Sequence, residues 1–191
     1  MLTRKIQQQG FNLIELMIVL AIAAILIGIG LPSLKTTIDR KAVTAEATRF
    51  ARSINFARSQ AITQSQVVTL ERKSPDANDW SQGWIIYIDE DGAGNQTFDD
   101  GDESNNEDGD TLLRDVSISS QGLDIKTDNT GNKWISFAPS GRLHEGGAST
   151  AITICDQDRS LAFAGSRVDV SPVGRTRISA IEGPNKTTGC L

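Results

Sequence analysis

The feature that most constrains this chain is an apolar run near its amino terminus. Residues 11–31, FNLIELMIVLAIAAILIGIGL, contain only two polar side chains, Asn12 and Glu15, in 21 positions. A helix rises about 1.5 Å per residue, so this run would span roughly 30 Å, the thickness of a bilayer's hydrocarbon core. A cleaved secretory signal is the alternative, but its apolar region is usually about 7–15 residues long. We therefore expect a transmembrane helix segment over residues 11–31.

Glu15 is unusual because it places a carboxylate inside this apolar run. A charged side chain within a membrane span costs about 2.5–3.5 kcal/mol on insertion scales, so such a residue generally has a partner and a function. Alternatively, Glu15 lies at the interface in the first helical turn and reaches water, where a helix N-terminus favours a carboxylate. The position of Glu15 alone leaves both interpretations open.

The residues around Glu15 resemble the signal of type IV prepilins. The motif reads GFNLIEL at residues 10–16 and follows a short leader that contains two basic side chains. The resemblance implies that residues 1–10 are a leader peptide, that a prepilin peptidase cleaves after Gly10, and that the new terminus at Phe11 is methylated. It also implies that Glu15 pairs with the terminal amine of a neighbouring subunit during assembly.

The chain continues past Pro32 with a helical pattern. Apolar residues recur at spacings of four and three, the period of one helix face, and they are Val43, Ala47, Phe50, Ile54, Ala57 and Ala61. The pattern is too short and too poor in branched residues for a coiled coil. We expect residues 32–63 to form the amphipathic half of one long helix, which the proline kinks and whose stripe packs on the protein's own head.

Residues 64–191 change to short apolar or alternating runs separated by Gly, Asn, Asp and Pro, which is typical of strands. The predicted strands are Val67–Leu70, Gly83–Asp89, Thr111–Ser119, Leu123–Lys126, Lys133–Ala138, Ala151–Cys155, Arg167–Ser171 and Arg175–Ile181. One long helix followed by short strands predicts an α+β fold. We expect Trp80, Trp84 and Trp134 to pack in the core or at strand edges of this head.

The head resembles the GspH/FimT family of minor pilins and pseudopilins. The resemblance is carried by GWIIYIDED, WISFAPSGRL, ITIC, VDVSPVGRTRIS and a terminal Cys190, in that order. It implies a pilin fold, in which the long N-terminal helix packs on an antiparallel β-sheet head. It also implies a single-pass protein of the bacterial inner membrane, with the head, residues 64–191, in the periplasm. The implied partners are other major and minor pilins and the prepilin peptidase.

An acidic loop over residues 89–110 holds ten carboxylates and no Lys or Arg. Its first part, residues 89–100, loosely resembles a calcium loop, with oxygen ligands and a turn glycine at Asp89, Asp91, Asn95, Asp100 and Gly94. Ala93 occupies a usual ligand position, however, and Asp100 replaces the bidentate glutamate. We favour a solvated loop, because runs of like charge are generally exposed. We therefore expect no metal and no cofactor, with weak Ca²⁺ binding as the alternative.

The chain has two cysteines, Cys155 and Cys190, which favour an oxidising compartment for the head. A disulfide between them would close a loop of about 36 residues and contribute roughly 3–4 kcal/mol in the chain-entropy model. The alternative is a free reactive thiol, which needs a basic environment that neither flank supplies. The periplasmic location that the resemblance implies favours the disulfide.

Gly174-Arg175-Thr176-Arg177 is the candidate binding motif. Residues i and i+2 of a strand share a face, so Arg175 and Arg177 would project together, and guanidinium groups suit phosphate contacts. Arg167 and Lys186 could enlarge the patch. Composition alone favours a solvated face. In FimT-type pilins, however, a C-terminal GRxR motif is associated with DNA binding during uptake for natural transformation, and GRTR matches that motif.

We therefore expect a FimT-like minor pilin that is incorporated in a pilus and binds DNA non-specifically. The alternative is a purely structural subunit, FimU- or GspH-like, that primes or caps a type IV pilus or a type II secretion pseudopilus. We do not expect an enzyme, since His144 is the single histidine and no nucleotide-binding or zinc motif occurs. The net charge of −5 opposes DNA binding unless the acidic loop lies on the opposite face. It does not rule out a small basic patch near the C-terminus, because without residues 1–10 and 89–110 the chain carries 17 basic and 14 acidic side chains.

Overall fold

The computed structural model of the chain describes residues 12–76, 78–90, 98, 109–118, 122–127, 133–144, 150–156 and 163–182. Positions 29–36, 163, 164 and 182 are described by their backbone alone. The chain divides into two compact units, Met1–Ile38 and Asp39–Leu191.

The helix α1 covers Leu13–Gln64, close to the predicted bounds of the long helix. Asn12 caps its N-terminus, since its side-chain Oδ1 accepts a hydrogen bond from the Ile14 N–H and its carbonyl oxygen accepts one from the Leu16 N–H. Apolar side chains of the first unit are exposed, from Leu13 at 74% to Ile27 at 58%. Among the described residues, no helical stretch combines the length and the apolarity needed to cross a bilayer. The transmembrane segment over residues 11–31 is not confirmed and stays a prediction.

The second unit contains the other half of α1. The six residues of the predicted apolar stripe, from Val43 to Ala61, are all fully buried, which confirms the amphipathic pattern. The helix ends at Gln64, and Ser65 follows with a φ of 56°. A residue in this left-handed region directly after a helix is a common way of terminating it.

The strands of the head are β1 (Val67–Arg72), β2 (Trp84–Asp89), β3 (Thr111–Val116), β4 (Leu123–Thr127), β5 (Trp134–Phe137), β6 (Thr150–Asp156), β7 (Phe163–Val170) and β8 (Thr176–Glu182). Each lies where the sequence predicts a strand. They form two antiparallel four-stranded sheets, ordered β3-β2-β1-β5 and β4-β6-β7-β8. β7 begins four residues before its predicted start, because the small residues of FAGS give no alternating pattern. The α+β prediction is confirmed.

One hydrophobic core joins α1 to both sheets. Phe50 lies at its centre and makes edge-to-face contacts with Trp80 at 5.5 Å and with Trp84 at 4.7 Å between ring centroids. Both tryptophans are fully buried, whereas Trp134 is partly buried on β5. The expectation that the tryptophans pack within the head or at a strand edge is confirmed.

Cys155 is buried on β6, with Ile181 of β8 packed against it. Its sulfur is not a free thiol. Cys190 lies outside the described residues, so the pairing of Cys155 with Cys190 stays a prediction.

Candidate nucleic-acid interface

The GRTR motif begins in the tight turn that joins β7 to β8. The Ser171 N–H donates to the Arg175 carbonyl at 2.9 Å, and the Gly174 N–H donates to the Ser171 carbonyl at 2.8 Å. Pro172 opens this three-residue loop and Gly174 closes it with a φ of 75°. Proline early in a turn and glycine at a left-handed position are typical of such hairpin loops. The Arg175 N–H also donates to the Ser171 hydroxyl at 3.1 Å, so the backbone of Arg175 is held twice.

Arg175 directly precedes the β8 edge strand, Arg177 lies within it, and both side chains are exposed. The hydroxyl of Thr176, between them, donates to the Asn55 side-chain oxygen of α1 at 3.2 Å. No described carboxylate forms an ion pair with either arginine. Residues i and i+2 of an extended backbone share a face, so both arginines are expected opposite Thr176, and this shared face stays a prediction.

Arg167 lies on the neighbouring strand β7 but is not a free cation. Its Nε contacts the Asp169 Oδ1 at 2.8 Å, and both side chains are roughly 40% exposed. In the strand register, Asp169 lies directly opposite Arg177. Because Asp169 balances the charge of Arg167, this arginine adds less to the predicted patch than its sequence position suggests.

The described part of the acidic loop is anchored to the first sheet. The Phe98 N–H donates to the Glu71 Oε2 at 3.0 Å, and its ring packs edge-on against Tyr87 at 5.3 Å between centroids. Burial raises the pKa of Glu71, which outweighs the lowering effect of this hydrogen bond. The loop starts at Asp89, which pairs with Val67 on β1. The next residue of β1, Val68, pairs with Phe137 at the end of β5. The loop therefore starts at the same end of the sheet as the turn that follows β5.

Several predicted site residues lie outside the described residues. They are Gly10, Phe11, Lys186 and Cys190, together with the candidate calcium ligands Asp91, Asn95 and Asp100 and the turn residue Gly94. Among the residues that are described, no group of three or more His, Cys, Asp or Glu side chains is arranged to hold a metal ion. Glu15 is exposed in the first turn of α1.

Sequence reasoning missed a second turn beside the GRTR motif. This turn follows β5, covers residues 138–142 and ends on the exposed Arg142. The signal that could have found it is a repeated Pro-x-Gly-Arg pattern, which occurs as PSGR at residues 139–142 and as PVGR at residues 172–175.

Two family models match the chain. The first, described as a prokaryotic N-terminal methylation motif, matches residues 5–31, and the second, type II transport protein GspH, matches residues 46–174. A methylation motif at the start of a long helix, followed by a helix-on-sheet head, defines a type IV pilin-like protein. The chain belongs to the GspH family, the GspH/FimT group of such proteins.

Crystal structures of a minor pilin share this fold. The type IV minor pilin FimU of Pseudomonas aeruginosa strain PAO1 is 17% identical over 80% of this chain and 97% of FimU, with a TM-score of 0.57. A second crystal form of FimU, 17% identical over 78% of this chain and 99% of that one, gives a TM-score of 0.54. The minor pseudopilin EpsH of the Vibrio cholerae type 2 secretion system is 14% identical over 72% of this chain and 96% of EpsH, with a TM-score of 0.46. No curated protein sequence matches the chain.

Proposed function

We propose that this protein is a FimT-like minor pilin that binds DNA non-specifically during uptake for natural transformation. The observation that carries the proposal is the pair Arg175 and Arg177, exposed at the start of β8 without an ion-pair partner among the described residues. The hydrogen-bonded turn before them fixes the backbone of Arg175 in advance of binding. A phosphate backbone can therefore be bound without first ordering this part of the protein.

The interaction is electrostatic. Each guanidinium group suits a phosphate and displaces counterions from DNA, so affinity falls with salt by a logarithmic slope of about −0.9 per contact. No aromatic residue interleaves the arginines, which disfavours stacking on single-stranded bases. Two contacts give weak binding to one subunit, and several subunits in one filament would raise the effective affinity.

The test compares the full-length protein, in a non-ionic detergent, with a variant carrying Arg175→Ala and Arg177→Ala. Binding to a fluorescently labelled duplex is measured by anisotropy between 50 and 200 mM salt. The two motif contacts by themselves account for about a 12-fold weakening of binding across this range. The double variant should lose both contacts. The slope of its log affinity against log salt concentration should therefore fall in magnitude by about 1.8.

A matched control removes the same charge elsewhere, through Lys41→Ala and Arg52→Ala on the exposed surface of α1. This variant should keep most of the wild-type slope. Equal binding by the wild type and the GRTR variant at equal salt would contradict the proposal. So would equal losses in the two double variants, since net charge would then explain the effect.

We also infer that the protein is processed and assembled as a pilin. The match of residues 5–31 to the methylation motif supports cleavage after Gly10 and a methylated amine on Phe11. Glu15, three residues after the Asn12 cap, would then supply the carboxylate for the terminal amine of a neighbouring subunit. Such a pair stabilises both charges away from water, and loss of one partner leaves the other charge uncompensated.

Glu15→Gln should therefore reduce incorporation into filaments by at least about tenfold, which corresponds to roughly 1.4 kcal/mol. Incorporation is measured as the amount of the protein in sheared filaments divided by its amount in whole cells. Glu90→Gln makes the same change at an exposed carboxylate of the head and should assemble normally. Wild-type incorporation of the Glu15 variant would refute the pairing.

The second candidate function is purely structural, with the protein priming or capping a type IV pilus or a type II secretion pseudopilus. The Arg167–Asp169 ion pair favours the structural function, because Asp169 neutralises the charge of one arginine in the predicted DNA-binding patch. The DNA titration separates the two functions. A structural subunit assembles through the Phe11 and Glu15 region but shows no salt-dependent DNA binding that requires Arg175 and Arg177.

A further inference from the structure

Two turns of the head have the same sequence pattern and the same hydrogen bonds. In the first, the Ala138 N–H donates to the Arg142 carbonyl at 2.9 Å and the Gly141 N–H donates to the Ala138 carbonyl at 2.8 Å. The turn from Ser171 to Arg175 has the equivalent pair of bonds, at 2.9 and 2.8 Å. The third loop residues, Gly141 and Gly174, have φ angles of 74° and 75°. Each turn therefore ends by presenting an arginine directly after a left-handed glycine.

The two turns pack against each other. The Leu143 N–H, directly after the first turn, donates to the Pro172 carbonyl of the second at 3.0 Å. The approach at Gly174 is so close that a Cβ there would lie 2.3 Å from the Gly141 carbonyl oxygen. The two arginine-bearing turns are therefore in direct backbone contact, and a shift of one would change its contacts with the other.

Arg58 of α1 ties this pair of turns to the helix. Its Nε donates to the Gly141 carbonyl oxygen at 2.8 Å, and the same nitrogen would lie 2.7 Å from a Cβ at Gly174. The side chain of Arg58 therefore occupies the space beside both glycines. It adds a positive charge next to the turns and holds them on the rigid core of the head.

The charges that the turns present are accessible. Arg142 and Arg175 are both exposed, and no described carboxylate forms an ion pair with either. Arg177 lies two residues after Arg175, within β8, and is also exposed. Phosphate groups recur at short intervals along a nucleic-acid strand, so neighbouring arginines on a fixed backbone suit contacts to more than one of them.

We propose that the two turns, Ala138–Arg142 and Ser171–Arg175, form one phosphate-binding surface, the twin-turn surface. Arg142 contacts the DNA backbone beside Arg175, and Arg58 is a positioning residue that fixes the turns. This proposal rests on the proposed DNA-binding function and extends it to a residue outside the GRTR motif. It predicts three backbone contacts, from Arg142, Arg175 and Arg177, where the motif alone supplies two.

The test measures duplex binding by the full-length Arg142→Ala protein under the conditions used for the GRTR variant. Loss of one contact should lower the magnitude of the salt slope by about 0.9, so the affinity change between 50 and 200 mM salt shrinks about 3.5-fold. Arg142→Lys keeps the charge and should keep the slope. Arg52→Ala, which removes one exposed charge from α1, should leave the slope near the wild-type value.

Unfolding midpoints of the Arg142 variants should equal that of the wild type, because Arg142 joins its turn through the backbone carbonyl alone. If the Arg142→Ala slope equals the wild-type slope while the GRTR variant loses its salt dependence, the twin-turn surface is refuted and the proposed function stands. If the GRTR variant also binds like the wild type, the proposed function itself fails. A reduced slope in Arg142→Ala and in the GRTR variant, with Arg142→Lys and Arg52→Ala unchanged, supports both.

Discussion

Replacing Phe50 with alanine should lower the free energy of unfolding by about 3–5 kcal/mol, the usual cost of truncating a buried phenylalanine. The ring is fully buried and touches Trp80 and Trp84 edge-on, so the substitution removes apolar contacts and two aromatic pairs together. The core cluster around Phe50 includes residues of both sheets. Neighbouring side chains are therefore held in place and cannot readily move into the cavity that the substitution leaves. We therefore expect the variant to lose both the free energy of burying the ring and the free energy of the cavity that remains.

The measurement is urea unfolding of the full-length protein in a mild detergent. Tryptophan fluorescence reports the transition directly, because two of the three tryptophans lie against Phe50. Phe56→Ala is the matched control, since Phe56 lies on the same helix but is partly buried and packs under the Arg114 guanidinium at 3.6 Å. It should cost less than half as much. Equal losses at the two positions would show that Phe50 does not join the helix to the sheets.

The helix and the strands of the head can be predicted from local sequence patterns. The pairing of the strands into two sheets cannot. The stripe from Val43 to Ala61 is recognisable because a helix repeats every 3.6 residues, and all six members are buried. The division of the strands between two sheets depends on contacts such as Val68 with Phe137, which lie far apart in the chain. Such pairings leave no local pattern in the sequence. The sequence of a strand shows which of its faces is apolar, but not which other strand it pairs with.

The candidate site was predictable in part. GRTR was found by resemblance, and strand alternation predicts Arg175 and Arg177 on one face; both are exposed, as such a face requires. The same rule places Arg167 and Asp169 on one face, so their ion pair was predictable too. Arg142 was missed because an exposed arginine in a turn has no periodic signature. Only the repeated Pro-x-Gly-Arg pattern marks it, and the contact between the two turns required the folded chain.

Gly174→Ala should lower the free energy of unfolding by about 2–5 kcal/mol through two separate effects. A φ of 75° is left-handed, which costs a residue with a Cβ about 1–2 kcal/mol. The new methyl group would also lie 2.3 Å from the Gly141 carbonyl oxygen, a backbone atom that can move only if its turn moves. Inserting an additional methyl group into a packed region typically costs about 1–3 kcal/mol. Urea unfolding of the full-length protein measures the sum.

Gly122→Ala separates these two effects. Gly122 has a similar φ of 83°, but a Cβ there meets no described atom within 4 Å, so its variant should show the backbone cost alone. The difference between the two variants then measures the contact between the turns. If the turns act as one surface, Gly174→Ala should also weaken DNA binding, because it displaces both arginines, whereas Gly122→Ala should not. Equal destabilisation by the two substitutions would mean that the first turn yields freely, and the twin-turn surface would then have no fixed geometry to present.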